Sequence, residues 1–345
     1  MAKALAVHLR VAAEDLAVGA KPLWTNYELL LADLDGVIYQ GSKEIVNASA
    51  SINLIHSQGI KVGYVTNNSS RSQQTIAEQL NGFGLSVKAE EVISSGQTAV
   101  ELLAQLIPAG SKVYVVGGEG LKGFVKRAGF ELVADSEAGP VAVIQGFAPD
   151  VSWRELAEAA YSIQNGAIWI ATNNDWTLPL ERGIAPGNGT LVSAVHTAVG
   201  QFPKVAGKPE PAIFETALQA FGTRNALYVG DRLETDILGA NNTGIDSALV
   251  LTGIASKKDV LAARVEERPK YILETLGDLL VEYPELKETK RGWRCNDAEV
   301  ERLGDKVLVV SGDPSSIDAL RAACKVIWSA EKHIHFLDVQ PEIYA

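Results

Sequence analysis

Apolar runs that read as buried strands alternate with segments of helical period through most of this chain, and that alternation restricts its fold more than any other feature. Residues 28–34 form one such run and are followed by a helical pattern over 47–58; residues 61–66 and 73–83 repeat the pair. Strand–helix–strand units of this kind build a parallel sheet joined by right-handed crossovers. Ligands of such sheets gather beyond the carboxyl ends of the strands. Asp33 and Thr66 both fall at such ends, so two separate loops are expected to converge on one crevice.

A second α/β stretch follows, with strands expected at 112–116, 141–145 and 167–171 and helices at 121–128 and 153–164. The first pattern then resumes: helix 211–221, strand 226–229, helix 236–242 and strand 247–250. The fold class expected is therefore α/β. A Rossmann-like core with a parallel sheet spans 22–95 and 205–284, and an inserted α/β domain spans 96–204. A length of 345 residues agrees with two or three domains. Residues 284–294 are charged and read as a linker. Beyond it, 306–311 reads as a strand, 315–329 as a helix and 333–338 as a last strand. This small C-terminal α/β extension, 285–345, is too short for a large core of its own and is expected to pack on the body or on a second subunit.

Composition limits the partners. A formal net charge of -11 disfavours nucleic acid and acidic membrane surfaces. An anionic substrate then needs positive charge gathered locally. The only cysteines, Cys295 and Cys324, make neither a disulfide framework nor a metal cluster, so a reducing cytoplasm is expected. The first 24 residues read as neither a signal peptide nor a membrane span, and no later run is apolar for long enough to span.

Four clusters carry the chemistry. In Asp33-Leu34-Asp35-Gly36-Val37, two carboxylates two residues apart point the same way along an ideal strand. Their repulsion calls for a proton or a cation, and a divalent metal with oxygen ligands serves. The alternative is a solvated strand-to-turn junction. Thr66-Asn67-Asn68-Ser69-Ser70 offers hydroxyls, amides and N–H groups ahead of a helix, a natural phosphate cradle or an ordinary helix cap. In Gly207-Lys208-Pro209-Glu210-Pro211 a proline-started helix holds Lys208 in place to neutralise a phosphoryl group, unless it is an ordinary surface lysine. In 229–236, Asp231 lies just past a strand end as a metal ligand. Asp236 orients Lys208 or a metal-bound water, caps the next helix, or does both.

Together these clusters resemble the haloacid-dehalogenase (HAD) superfamily of phosphatases. The match is with the branch that carries a large α/β cap between the second and third clusters and includes nitrophenylphosphatase-like, phosphoglycolate and pyridoxal-phosphate phosphatases. Ala171-Thr172-Asn173-Asn174-Asp175, Pro179, Gly183 and Pro186-Gly187-Asn188-Gly189 resemble that branch's cap signature, and the likeness covers roughly 22–284. The whole layout, tail included, is similar to actinobacterial glycerol-3-phosphate phosphatases, which carry a short acetyltransferase-like extension. The resemblance implies Mg2+ as cofactor and Asp33 as nucleophile and metal ligand. It implies Asp35 as acid–base group with its carbonyl on the metal, and Asp231 completing the metal site. Thr66, Asn67, Asn68 and Lys208 would hold the phosphoryl oxygens. Asn242-Thr243, where small apolar residues are more usual, is a minor departure.

A closing cap would exclude water and read the leaving group, with Asp175, Trp176, Arg182 and the 186–189 loop as expected substrate contacts. The substrate expected is a small phosphorylated metabolite, glycerol 3-phosphate first, then phosphoglycolate and pyridoxal phosphate. A phosphotransferase and a regulatory module on the same fold stay open. Cap-mediated homodimers occur in that branch, and neither charge nor composition decides for or against one here. The tail has no glycine-rich pyrophosphate loop, so docking is expected of it rather than acetyl transfer. Both cysteines are expected to be structural.

Overall fold

The computed structural model describes residues 21–180 and 182–345. Of the N-terminal segment read above, residues 1–20 lie outside the described residues. Chain contacts divide the protein into two units. The first comprises residues 21–61 and Asn225–Ala345; the second is Val62–Arg224.

In the first unit a parallel sheet runs in the order Tyr271–Leu273, Asp246–Val250, Ala226–Gly230, Leu29–Ala32. All four residues of Leu29–Ala32 are buried, as are all five of Ala226–Gly230. Burial on both faces explains why these strands read as unbroken apolar runs rather than alternating ones. The tail adds a five-stranded sheet, Leu286–Glu288, Gly292–Cys295, Ala298–Leu303, Lys306–Ser311 and Asp338–Val339, antiparallel except for the last pair. Two of these strands occupy the stretch expected to be a linker. Leu286, Trp293 and Cys295 turn inward while Lys287, Glu288 and Arg294 stay outside, and cross-strand pairing holds a segment too charged to announce itself.

The tail has no core of its own. Cys295, Val300, Val307, Leu320 and Ile327 share one buried cluster with Leu233, Ile237, Leu249, Val260 and Ile272. The helix Ile317–Trp328, capped by Ser316 Oγ, is fastened by Arg321. That guanidinium, 6% exposed, donates to Ile272 O at 2.9 and 2.7 Å and to Asp318 at 2.8 Å, and lies over the Tyr283 ring.

In the second unit Tyr64, Val65 and Thr66, at the end of the strand Lys61–Thr66, pair in parallel with Val92–Ser94. A five-stranded parallel sheet follows in the order Lys204–Val205, Ile168–Ala171, Ala142–Gln145, Lys112–Val116, Glu131–Val133. The helix Trp153–Gln164 begins with a Ser152–Glu155 capping box, and Pro211 opens Pro211–Phe221 at a position where a missing N–H costs nothing. The protein is thus α/β with parallel sheets. Among the described residues no helix is long and apolar enough to cross a membrane.

Candidate active site

Asp33 and Asp231 sit just beyond the carboxyl ends of two neighbouring strands of the first unit. Asp33 N–H donates to Val229 O at 2.9 Å, which continues the ladder one residue past Leu29–Ala32. Both are buried, at 8% and 1% exposure. Asp236 joins them, wholly buried, and one carboxylate oxygen from each of the three lies within 4.8 Å of the others. Three negative groups at that spacing repel strongly in a poorly hydrated place.

The backbone is built around Asp231. Its Oδ2 accepts from Ile254 N–H at 2.8 Å, and its carbonyl accepts from Ala255 N–H at 3.0 Å. A Cβ at Gly36 would lie 2.2 Å from Oδ2, and one at Gly253 only 1.9 Å away. Gly36 also adopts φ +80, a left-handed conformation that glycine takes without steric cost, and its N–H closes a tight turn on Tyr39 O at 2.8 Å. Thr252 Oγ1 ties the 252–255 loop to Gly36 O at 2.6 Å. Sequence reasoning missed this loop, although it follows the Asp246–Val250 strand and the strand-end rule points to it.

Asp236 does not cap a helix N-terminus. It lies inside a π-helical turn, Leu233–Ile237, that leads into Leu238–Thr243. Its Oδ2 accepts from the N–H groups of Asp231 (3.2 Å) and Arg232 (3.0 Å), and its Oδ1 from the Tyr228 hydroxyl at 2.9 Å. The extra residue in the turn aims the carboxylate back at these donors. Tyr228 is fully buried. Burial, then the charges of Asp236 and Asp33, push its phenol well above its ordinary range, so it remains a donor. Asp35 is exposed and makes an isolated bridge with Tyr39.

The donor set suits a hard divalent cation. All three groups are carboxylates, and a dication offsets charges that otherwise oppose one another. Asp33, Asp231 and Asp236 could each offer an oxygen to such a cation, and both oxygens of Asp236 already accept protein hydrogen bonds, two of them from the main chain at Asp231 and Arg232.

In the second unit Thr66 is buried, and its Oγ1 accepts from Asn68 N–H at 3.1 Å. Asn68 Oδ1 accepts from Ser70 N–H, Ser70 Oγ and Arg71 N–H, which shapes the turn into Gln73–Gly82. Asn67 reaches instead to Lys208 and Asp175. Its Oδ1 accepts from Lys208 N–H at 2.8 Å, and its Nδ2 donates to Lys208 O at 3.2 Å and to both Asp175 oxygens at 3.1 and 3.2 Å. Lys208 is 4% exposed, not the surface lysine of the alternative reading. The structure therefore joins three expected residues, Asn67, Asp175 and Lys208.

Two other expected substrate contacts are exposed. Trp176 is 65% exposed, and Arg182 is exposed beside the Thr177–Leu180/Gly183–Pro186 hairpin. The glycines of 186–189 have a packing role: a Cβ at Gly187 would lie 2.2 Å from Asp175 O, and one at Gly189 2.4 Å from Asn174 O. Ser95, Asn173 and Gly207 also belong to this network; Asn173 and Gly207 lie in the motifs quoted above without a role of their own, and nothing local in the sequence marked Ser95.

A family model described as haloacid dehalogenase-like hydrolase matches residues 30–131, and a second, described as HAD-hydrolase-like, matches 205–279. The D-glycerol 3-phosphate phosphatase of Mycobacterium tuberculosis is 38% identical over 319 residues, 90% of this chain and 88% of the relative. The acid sugar phosphatase of Staphylococcus saprophyticus is 36% identical over 259 residues, 74% of this chain and 98% of the relative. Among solved structures, the M. tuberculosis glycerol phosphate phosphatase in complex with magnesium superposes with a TM-score of 0.84 at 37% identity, covering 93% of this chain and 95% of that one. The p-nitrophenyl phosphatase of Archaeoglobus fulgidus gives 0.69 at 28% identity, covering 74% and 98%.

Proposed function

The chain belongs to the haloacid dehalogenase-like hydrolases and is a phosphatase; on that premise we propose that it hydrolyses a small phosphomonoester, glycerol 3-phosphate first, through an aspartyl-phosphate on Asp33. The observation that carries the proposal is the buried Asp33–Asp231–Asp236 cluster at neighbouring strand ends.

Mg2+ is the cofactor; the carboxylates of Asp33 and Asp231 and the carbonyl of Asp35 would hold it, and it would withdraw charge from phosphoryl oxygens and offset the acidic cluster. A carboxylate oxygen of Asp33 attacks phosphorus as the bond to the leaving oxygen breaks, and Asp35 gives that oxygen its proton. The resulting Asp35 carboxylate then takes a proton from water, which attacks the same phosphorus. Inorganic phosphate leaves, and Asp33 is again a carboxylate. Splitting hydrolysis in two replaces one difficult step with two easier ones, and acid–base assistance contributes about 10²–10⁴-fold. The Thr66 hydroxyl, N–H groups of the 66–68 turn and the Lys208 ammonium stabilise the transferring group. Residues 96–204 serve as the cap that selects the leaving group, with Trp176 and Arg182 available to contact it.

Glycerol 3-phosphate is preferred because the likeness to the mycobacterial relative takes in 90% of the chain and so reaches into the tail, whereas the acid sugar phosphatases match 74% of the chain. The cytoplasm is the compartment proposed, in keeping with Cys295 and Cys324 as free thiols.

The test is phosphate release by the full chain with Mg2+ from glycerol 3-phosphate, phosphoglycolate, pyridoxal phosphate and a sugar phosphate. Expected is release that needs Mg2+ and Asp33, with the highest kcat/KM on glycerol 3-phosphate. Activity retained by Asp33→Asn would overturn the mechanism, and a higher kcat/KM on another ester would replace the substrate. Phosphate passed chiefly to an added alcohol acceptor would make the protein a phosphotransferase.

A further inference from the structure

We propose that Asn67 is a positioning residue, whose carboxamide locks the main chain of Lys208 and couples it to Asp175. The inference rests on the reading of Lys208 as a phosphoryl-binding group and gives Asn67 a different task from the phosphate contact expected of it.

A carboxamide has one acceptor oxygen and two N–H donors. Here its two ends meet the N–H and the C=O of one residue: Oδ1 takes Lys208 N–H at 2.8 Å, and Nδ2 gives to Lys208 O at 3.2 Å. A strand pairs with its neighbour in the same way, so Asn67 supplies Lys208 with a one-residue ladder. That pairing also decides the orientation of the amide, because a main-chain N–H can face only the oxygen. Nδ2 further donates to the Asp175 carboxylate at 3.1 and 3.2 Å, a charge-assisted contact across 108 positions of sequence.

Every neighbour serves the clamp. Asn67 O is held by Ser95 Oγ at 2.6 Å and Asn173 Nδ2 at 2.7 Å. Asn173 Oδ1 takes Asp175 N–H at 3.2 Å, and Asn188 Nδ2 holds Asn173 O at 2.7 Å. Gly207 leaves room for it, since a Cβ there would lie 2.5 Å from Asn67 Oδ1 and from Thr172 O. The Asn67 side chain is thus committed to main chain and carboxylate, and the loop at 173–175 and the base of Lys208 move as one piece. Any displacement of that loop is felt at the ammonium through Asn67.

The experiment uses the full chain with Mg2+ and p-nitrophenyl phosphate, in the variants Asn67→Ala, Asn67→Asp, Asp175→Asn and the exchanged pair N67D/D175N. Asn67→Asp keeps the acceptor facing Lys208 N–H but sets oxygen against Lys208 O and Asp175; the exchanged pair restores a donor between positions 67 and 175. Expected is a fall in kcat of about 100-fold for Asn67→Asp with KM changed far less, as displacement of a catalytic group by about 1 Å produces. The exchanged pair is expected to recover about tenfold of that. Amide hydrogen exchange at Lys208 is expected to quicken about tenfold in Asn67→Ala and less in Asp175→Asn, following the lost bonds. Lys208 exchange unchanged in folded Asn67→Ala overturns the clamp. An exchanged pair no better than Asn67→Asp overturns the coupling to Asp175. Should Asn67→Ala fail to fold, Asp175→Asn decides the coupling by the same exchange measurement. If the wild-type chain releases no phosphate, the phosphatase reading fails, while exchange at Lys208 still decides the clamp.

Discussion

Replacing Gly253 by alanine tests how Asp231 is held. The added methyl would lie 1.9 Å from Asp231 Oδ2, 2.5 Å from its Cγ and 2.6 Å from its Cβ, so the carboxylate must retreat by about 1.1 Å to reach even 3.0 Å. Retreat breaks the 2.8 Å bond from Ile254 N–H, a hydrogen bond to a charged group worth about 1.5–3 kcal/mol. One term opposes this. Moving one carboxylate from about 4.8 to 5.8 Å relieves repulsion by about 0.6 kcal/mol per neighbour at an effective dielectric of about 20. Overpacking adds about 1–3 kcal/mol of its own. The loss therefore wins, and Gly253→Ala should cost about 3 kcal/mol without metal. With Asp231 displaced, the stabilisation that Mg2+ confers by binding only the folded state should shrink as well. The assay is urea and thermal unfolding with and without Mg2+. Gly82→Ala is the control, because nothing lies within 4 Å of a Cβ there and alanine favours a helix. Wild-type stability together with a wild-type response to Mg2+ in folded Gly253→Ala would refute the account of Asp231.

Tyr228→Phe removes the hydroxyl from Asp236 Oδ1 and should cost about 1.5–3 kcal/mol by urea unfolding, with less loss when Asp236 is already asparagine. Arg321→Ala breaks the buried tie between the tail helix and Ile272 O and should cost about 3–5 kcal/mol; Arg321→Lys, lacking the planar fork, should recover only part of it. Burial, then Asp318, pushes the Cys295 thiol up to about 12, and burial also raises Cys324. Both should therefore resist a thiol reagent at pH 8 until the chain unfolds. The folded state holds these protons more tightly than the unfolded one. Their contribution to stability is therefore complete below about pH 9 and declines as pH rises toward 12, a slope that Cys295→Ala should lessen.

Much of the fold was legible because it is local. Lys61–Thr66, Lys112–Val116, Trp153–Gln164 and Pro211–Phe221 run as their periodicity and caps dictate. The strand-end rule pointed to Asp33 and Asp231, and both lie buried just past neighbouring strands. Those signals need only a few adjacent residues, because side-chain period and cap chemistry act within a turn or a strand.

Tertiary structure alone decided the rest. Gly253 reads as an ordinary loop glycine until folding brings Asp231 against it. Asp236 reads as a helix cap, yet a π-helical turn and the Tyr228 hydroxyl make it a buried acceptor. Leu286–Glu288 and Gly292–Cys295 are strands only because other strands pair with them. Asn67 belongs to a phosphate cradle by its neighbours in sequence, but its partner in space is Lys208, 141 positions away. Sequence period reports which face a residue turns to the core. It carries no information about which distant main-chain N–H or carboxylate will be waiting there, because chain topology sets that after the local elements have formed.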